Sequence, residues 1–453
     1  MTRVVHLTPH LGGGVGRALA SLVCARGQAE RADEHLIVCL EVPEKTALID
    51  EIRALGARVL VAPPAAALAA VAADADLVQL EFWNHPATLR ALCETDWPAM
   101  RLLAWCHVSG LHFPRIAPSL VAQCDRFVLT SACSLRAPEL AGLPDEVRER
   151  LAVVSSAAGL ESMPARRWAD RAADAGAGAD AGAWVGSAET PCRFGYLGSL
   201  NLAKLHPDYV ALLGDVAQPG FKVRLIGDPL NRELLERQCA HAGQPGRLEF
   251  AGHCSDIAAQ LQSLDVLLYL LNPCHYGTAE IALLEAMAMG VVPVVMPNPA
   301  ECQVVEHGVN GLVVRDAAEL AQAVHRLRAA PAWRRRLGEC AAASVRSRDT
   351  LARLSEGFAT QYRAVLAGPK RDRDFRSVFG ATPARWFEGF VRDPSVFGAD
   401  GQVRLPRGPA RHLYLEKTKG SALHFQQHFP RDPQLEAWAR SLMHQTMEPT
   451  CMS

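Results

Sequence analysis

The segment Asp265–Pro297 constrains the fold more than any other part of the chain. Its apolar run 265–271 predicts a strand buried on both faces, and the Ala- and Leu-rich run 281–289 predicts a short packed helix. A further apolar run, 291–296, predicts a second buried strand. Strand, helix and strand in this order form a βαβ unit, so the intervening loop 272–279 is expected at the ligand-binding edge of a parallel sheet.

The residues around the predicted helix start are the first candidate site. The N-terminus of a helix presents free N–H groups and a positive dipole end, which favour a phosphate group. Gly277, Thr278 and Ala279 lie immediately before this helix, so we predict that they bind substrate. Glu280 stands at the helix start itself, where its carboxylate either binds substrate hydroxyls or complements the helix dipole.

Composition excludes several classes of function. The chain has 453 residues, which predicts two or three domains, and its formal net charge of −1 offers no general attraction for nucleic acid. Thirteen cysteines without a C-x-x-C pair indicate free thiols in a reducing compartment, so we predict a cytoplasmic protein. The longest apolar region, 59–73, is too short to span a bilayer, which leaves peripheral membrane contact as an open alternative.

Alternating strand and helix patterns extend along most of the chain and predict parallel sheets covered on both faces. The first strand pattern, 3–8, leads into a glycine loop that contains Gly13, Gly14 and Gly16. Such a loop lets a phosphate or a sugar approach the backbone closely. A dinucleotide-binding G-x-G-x-x-G pattern fails on spacing, because its third glycine would fall at Arg17 or Leu19.

The domain organisation follows from changes in composition. We predict an N-terminal Rossmann-like domain over 1–165, an Ala- and Gly-rich flexible linker over 166–190, and a second Rossmann-like domain over 191–365. Residues 372–397 are rich in Arg and aromatic residues, and 413–443 has a helical pattern with breaks, so residues 366–453 are predicted to form a mainly helical C-terminal extension.

Two of these motifs resemble a known family. Glu285-Ala286-Met287-Ala288 and Gly13-Gly14-Val15-Gly16 are similar to motifs of the family 4 retaining glycosyltransferases, which have the GT-B fold of two Rossmann-like domains facing across a cleft. The resemblance covers roughly residues 1–365. The family has another Glu eight positions before the Glu-Ala-Met-Ala string, and that position is Gly277 here.

The resemblance implies roles for individual residues. His107 would contact the donor sugar, and Lys204 would neutralise the donor diphosphate. Ser199 occupies the position of a family arginine at the same site, while Glu285 would hold the ribose hydroxyls. Glu280 is the nearest carboxylate to the missing first Glu, and it would hold the sugar from the helix start.

Polar groups also follow a strand that ends near Glu81. Glu81 and His85 either touch donor or acceptor, or cap the next helix. His424 and His428 are four residues apart and share a helix face, but a metal site needs further ligands and the sequence identifies none. We therefore predict no metal and no cofactor other than the co-substrate.

The function implied is transfer of a sugar from a nucleotide-sugar to a hydroxyl, with retention at the anomeric carbon. The resemblance places the donor mainly on the second domain and the acceptor, which is a glycan, a lipid-linked molecule or a small molecule, mainly on the first. The alternative is a GT-B-like binding or scaffold subunit without catalysis, since the first Glu and the family arginine are replaced by Gly277 and Ser199.

Overall fold

The computed structural model describes residues 2–27, 33–164, 192–218 and 220–447. The predicted linker 166–190 lies outside the described residues. The chain forms two compact units, the first comprising Met1–Ala158, Cys274–Ala279 and Leu351–Ser453, and the second comprising Gly159–Pro273 and Glu280–Thr350. Residues 351–365, which the sequence analysis assigned to the second domain, thus pack with the first unit.

A seven-stranded parallel sheet forms the centre of the first unit, with strand order β3-β2-β1-β4-β5-β6-β7. Its inner strands carry apolar side chains on both faces of the sheet, and both faces are buried. The strands are β1 Arg3–Thr8, β2 Glu34–Cys39, β3 Arg58–Val61, β4 Leu77–Phe82, β5 Leu102–Cys106, β6 Arg126–Leu129 and β7 Leu151–Val153.

Helices connect the strands of the first sheet, as the alternating pattern predicted. They are Gly13–Gly27, Ala47–Ala54, Ala65–Asp74, Pro86–Glu94, Pro118–Gln123, Pro138–Ala141 and Asp145–Arg148.

The second unit contains a six-stranded parallel sheet with strand order β10-β9-β8-β11-β12-β13. Its strands are β8 Phe194–Leu197, β9 Val223–Ile226, β10 Leu248–Gly252, β11 Val266–Tyr269, β12 Val292–Val295 and β13 Leu312–Val313. The predicted βαβ unit is β11, the helix Ile281–Ala288 and β12. The other helices of this unit are Tyr209–Leu212, Arg232–His241, Ile257–Gln262, Ala317–Ala329 and Pro331–Arg348.

The helix Leu351–Leu366 completes the core of the first unit. It packs against the helix Gly13–Gly27, and its Phe358 and Tyr362 are buried in the same core as Trp105. The Trp105 and Phe358 rings meet edge to face, with 4.7 Å between their centroids.

The C-terminal extension is helical and also packs within the first unit. Its helices are Phe375–Phe379, Pro383–Glu388, Arg411–Leu415, Ala422–His428 and Pro433–Met447. Among the described residues, no helix is long and apolar enough to cross a membrane.

Candidate functional site

The residues predicted to bind the donor diphosphate lie at the carboxyl edge of the second sheet. Lys204 follows β8, and Glu280 follows the neighbouring strand β11. The Lys204 Nζ atom lies 3.2 Å from Oε2 of Glu280, and the Tyr269 hydroxyl donates to the same oxygen over 2.5 Å. The structure therefore brings two predicted site residues together around a strand-end tyrosine that the sequence analysis missed.

Glu280 has an unusual backbone conformation for its residue type. Its φ of 45° and ψ of 52° lie in the left-handed region, at the N-cap of the helix Ile281–Ala288. This conformation costs a non-glycine residue about 1–3 kcal/mol, so the surrounding structure must hold it. The residue is 4% exposed, and its ion pair with Lys204 and hydrogen bond from Tyr269 supply that constraint.

The charge of Glu280 also acts on Tyr269. Burial raises the pKa of the Tyr269 hydroxyl well above its ordinary value, and the neighbouring Glu280 carboxylate raises it further. The hydroxyl consequently keeps its proton and remains a hydrogen-bond donor to Glu280. Lys204 is then the cation of this cluster, 5.8 Å from the centre of the Tyr269 ring.

Two glycine turns follow β8 and β9 and bring the backbone of the two strand ends very close together. A Cβ atom on Gly227, whose φ is 155°, would lie 1.9 Å from the carbonyl oxygen of Gly198. Only glycine fits here. The glycines thus allow the two strand ends to pack backbone against backbone. Ser199 follows Gly198, and Asn201 Nδ2 donates to its hydroxyl over 2.8 Å.

The loop before the 281–288 helix packs with the first unit. The Thr278 hydroxyl lies 3.3 Å from the hydroxyls of both Thr130 and Ser134, and Thr278 is 6% exposed. The Gly277 N–H donates to His275 Nδ1 over 3.0 Å. The three predicted binding positions 277–279 therefore form a loop fixed by protein contacts, and Glu285 lies buried on the helix that follows it.

A buried carboxylate fixes the other predicted sugar contact, His107. Glu81 is fully buried at the end of β4, and His107 directly follows β5. The His107 Nε2 atom lies 3.0 Å from Glu81 Oε2, while Gln79 Nε2 donates to Glu81 Oε1 over 2.8 Å. An ionised carboxylate only accepts hydrogen bonds, so the proton of this contact is on His107 Nε2.

The same carboxylate also orders two further histidines. Glu81 Oε1 lies 3.2 Å from His6 Nδ1, and His6 Nε2 lies 2.9 Å from His35 Nδ1. Burial by itself would raise the pKa of Glu81, but its hydrogen bonds with His107 and His6 outweigh burial and lower it. Glu81 is therefore ionised, and it holds the imidazole of His107 in one orientation.

The glycine loop of the first unit combines a conformational and a packing requirement. Gly13 has a φ of 64° and is exposed, as is Gly14. A Cβ atom on Gly16 would lie 2.3 Å from the carbonyl oxygen of Leu11, so Gly16 is needed for packing at the start of the helix Gly13–Gly27. Gly13 and Gly14 are the two positions of the loop that present accessible backbone.

The two polar residues near the end of β4 have different roles. His85 caps the helix Pro86–Glu94, because its Nδ1 atom accepts from Ala87 N over 3.1 Å. Glu81 instead binds His107. Gln79 and Glu81 alternate within an otherwise apolar strand, and this alternation is the sequence signal that could have identified Glu81 as the partner of a neighbouring strand end.

Comparison with solved structures defines the class of fold. HepE from Anabaena in complex with UDP-glucose superimposes with a TM-score of 0.64 at 17% identity, over 80% of this chain and 100% of that one. A glycosyltransferase from Rickettsia africae gives 0.61 at 13% identity, over 81% and 98%. Sucrose-phosphate synthase from Thermosynechococcus elongatus gives 0.57 at 16% identity, over 81% and 100%. The protein therefore has the GT-B fold that the sequence analysis predicted.

The family comparison is more specific for one part of the chain. Residues 191–329 match the family model described as glycosyl transferases group 1, and this region contains Lys204, Glu280 and Glu285. The resemblance to group 1 glycosyltransferases is thus confirmed there, whereas the assignment to family 4 stays a prediction. No curated protein matches the chain in sequence.

Proposed function

We propose that the protein is a retaining glycosyltransferase that moves a sugar from a nucleotide-sugar to a hydroxyl acceptor. The observation that carries this proposal is the Lys204–Glu280 pair at the carboxyl edge of a parallel sheet, within the region that matches group 1 glycosyl transferases. Ligands of open α/β sheets bind at this edge. HepE was crystallised with UDP-glucose, so a UDP-sugar is the first donor to test.

The second unit supplies the groups that stabilise the leaving diphosphate. As the bond between the sugar and the diphosphate breaks, negative charge builds on the diphosphate. Lys204 supplies a positive charge, and the start of the 281–288 helix supplies N–H groups and a dipole. Glu285 holds the ribose through its carboxylate, and the backbone beside Ser199 accommodates the phosphates.

Glu280 has two tasks in this mechanism. In the absence of donor it neutralises Lys204, and its left-handed backbone keeps the carboxylate beside the cation. When the diphosphate engages Lys204, the Glu280 carboxylate becomes available to accept from sugar hydroxyls. This role replaces that of the family Glu, whose position is Gly277 here.

The first unit contributes His107 and the exposed glycine loop. His107 contacts the donor sugar, and Glu81 holds its imidazole in place through Nε2. Gly13 and Gly14 allow the backbone to approach the substrate closely. The acceptor, which is a glycan, a lipid-linked molecule or a small molecule, binds this unit, and we propose that the reaction takes place in the cytoplasm without a catalytic metal.

Turnover separates this proposal from that of a binding subunit without catalysis. Purified protein is incubated with UDP-glucose and, in parallel, with other nucleotide-sugars, and release of the nucleoside diphosphate is followed with and without candidate acceptors. Release that disappears in Lys204→Ala and persists in Lys222→Ala supports catalysis. Stabilisation by a nucleotide-sugar without release from any of them supports the binding subunit.

A further inference from the structure

Four side chains with metal-ligating chemistry meet in the first unit, well apart in sequence. His85, His424 and His428 each offer one ligand atom, and these three atoms lie within 4.8 Å of one another. Glu41, in the loop after β2, places Oε1 2.5 Å from His428 Nε2 and Oε2 3.4 Å from His85 Nε2. The sequence analysis found no additional ligands for His424 and His428, and the structure supplies two.

The contact between His428 Nε2 and Glu41 Oε1 needs a proton or a cation between the two atoms. The His428 Nδ1 atom lies 3.0 Å from the carbonyl oxygen of His424, which can only accept, so Nδ1 carries a proton. In the neutral imidazole the lone pair of Nε2 then faces a carboxylate oxygen at 2.5 Å. Two lone pairs at this distance repel each other. Either a proton or a metal cation must therefore occupy the contact.

Two of the three imidazoles lie in the protein interior. His85 is 2% exposed and His424 is 6% exposed. Neutral imidazole is the form that binds metals, and a ring nitrogen of each residue faces the same small volume.

We propose that His85, His424, His428 and Glu41 form a structural site for a late first-row divalent metal ion, with Zn²⁺ as the ion to test. Imidazole nitrogen and carboxylate oxygen are both ligands of Zn²⁺, and these four side chains supply the number of ligands that a tetrahedral zinc site needs. The ligands come from the loop after β2, the N-cap of the helix Pro86–Glu94 and the helix Ala422–His428. The ion would tie the C-terminal extension to the strand ends of the first sheet.

The hydrogen bonds of the rings determine which metals can bind. His85 Nδ1 accepts from Ala87 N, and His424 Nδ1 accepts from Gly420 N, both over 3.1 Å. In the metal-free chain these two rings consequently carry their proton on Nε2. Coordination through Nε2 moves that proton to Nδ1 and breaks both backbone contacts. Only metals with high affinity for imidazole can compensate, which excludes Mg²⁺ and Ca²⁺.

Metal binding should also depend on pH. The cation that replaces the proton between His428 and Glu41 releases it to solvent, so affinity rises with pH. His10 and Lys419 face the same cluster, and Lys419 opposes a further positive charge there. Lys419 thereby weakens binding without removing a ligand. This proposal does not depend on the proposed function, because none of its ligands belongs to the donor site.

The test uses the full-length protein without an affinity tag, first freed of metal by dialysis against a chelator. Zn²⁺ is titrated at pH 7.5 and pH 6 by calorimetry and thermal melting, with Mg²⁺ in parallel, and Co²⁺ is used to record ligand-field absorption. We expect one tightly bound Zn²⁺ per chain, a higher Tm, weaker binding at pH 6, a tetrahedral Co²⁺ spectrum and no response to Mg²⁺.

Variants test whether these side chains bind the ion. His428→Gln and Glu41→Gln should each weaken Zn²⁺ binding at least tenfold, whereas His241→Gln, on the exposed end of the helix Arg232–His241, should leave it unchanged. Glu41 is half-buried in a loop, so Glu41→Gln remains informative if His428→Gln fails to fold. Absence of stoichiometric Zn²⁺ binding to the folded wild type overturns the proposal. So does binding that both variants retain in full, since the contact would then hold only a proton.

Discussion

Lys204→Ala is the sharpest test of the proposed donor site. The ammonium group of Lys204 lies 3.2 Å from Glu280, with its side chain 20% exposed, so it can reach a ligand at the sheet edge. A charge-assisted bond to a diphosphate contributes about 1.5–3 kcal/mol. Its loss should therefore weaken nucleoside-diphosphate binding about 10- to 150-fold.

The same substitution also affects stability, and this effect must be separated from binding. It removes the cation beside Glu280, whose side chain is 1% exposed. Breaking a fully buried pair costs about 3–5 kcal/mol, and the partial exposure of Lys204 reduces the expected loss to about 1–3 kcal/mol. In the double variant Lys204→Ala/Glu280→Gln the buried charge is also removed. Stability should then recover in part, while affinity for the bare diphosphate stays low.

Calorimetry with UDP and UDP-glucose measures the affinities, and chemical denaturation measures the stabilities. Lys222→Ala is the matched control, because Lys222 forms a 3.1 Å pair with Glu249 on the exposed surface of the same unit. It should leave both affinities unchanged. Equal affinity of wild type and Lys204→Ala, with the fold intact, would remove Lys204 from the diphosphate site. If Lys222→Ala weakened ligand binding as much as Lys204→Ala, the loss would reflect the lower net charge of the protein and not a contact with the diphosphate.

Three further outcomes are expected. Glu280→Gln should lower turnover well beyond any loss of stability and leave the affinity for bare UDP unchanged; a lower Tm with full turnover would make Glu280 a helix-end charge only. At temperatures below the melting range, turnover should persist in the presence of a chelator, because Lys204 and backbone N–H groups stabilise the diphosphate without a metal. Loss of turnover in chelator that Mn²⁺ or Mg²⁺ restores would contradict this. Stability should fall as the pH drops below about 6.5, because burial lowers the pKa of His35 to about 2 and of His424 to about 3, so the unfolded chain binds more protons in this range. Each of these two residues contributes up to about 1.4 kcal/mol per pH unit, and denaturation at pH 7 and pH 5 in chelator measures the slope; equal stability at the two pH values would refute it.

Local patterns predicted the architecture and part of the site. The βαβ unit 265–297 has the predicted order of elements, because buried strands and packed helices have recognisable apolar periods. The family resemblance assigned Lys204 to the donor site, and the structure places Lys204 after β8, at the carboxyl edge of the second sheet. The left-handed conformation of Glu280 has no such signal, since the contacts that hold it, with Tyr269 and Lys204, depend on tertiary structure.

Contacts between distant segments were beyond the reach of sequence patterns. His85 and His428 are separated by most of the chain, and only the packing of the C-terminal extension brings them together. Thr278 was predicted from its position in the loop to bind substrate, but its hydroxyl bonds to Thr130 and Ser134, which are distant in sequence. In both cases the partner is chosen by tertiary structure rather than by spacing.

The return of the helix Leu351–Leu366 to the first unit has a consequence for protein synthesis. While the ribosome is still translating the second unit, residues 1–158 have emerged without Phe358, whose ring covers Trp105 in the finished protein. Apolar surface on this nascent sheet stays uncovered until the last hundred or so residues appear. The second unit is contiguous apart from 274–279 and can complete its sheet earlier. Ribosome stalling or premature termination after residue 350 should thus yield a soluble second unit joined to an aggregation-prone, chaperone-dependent first one.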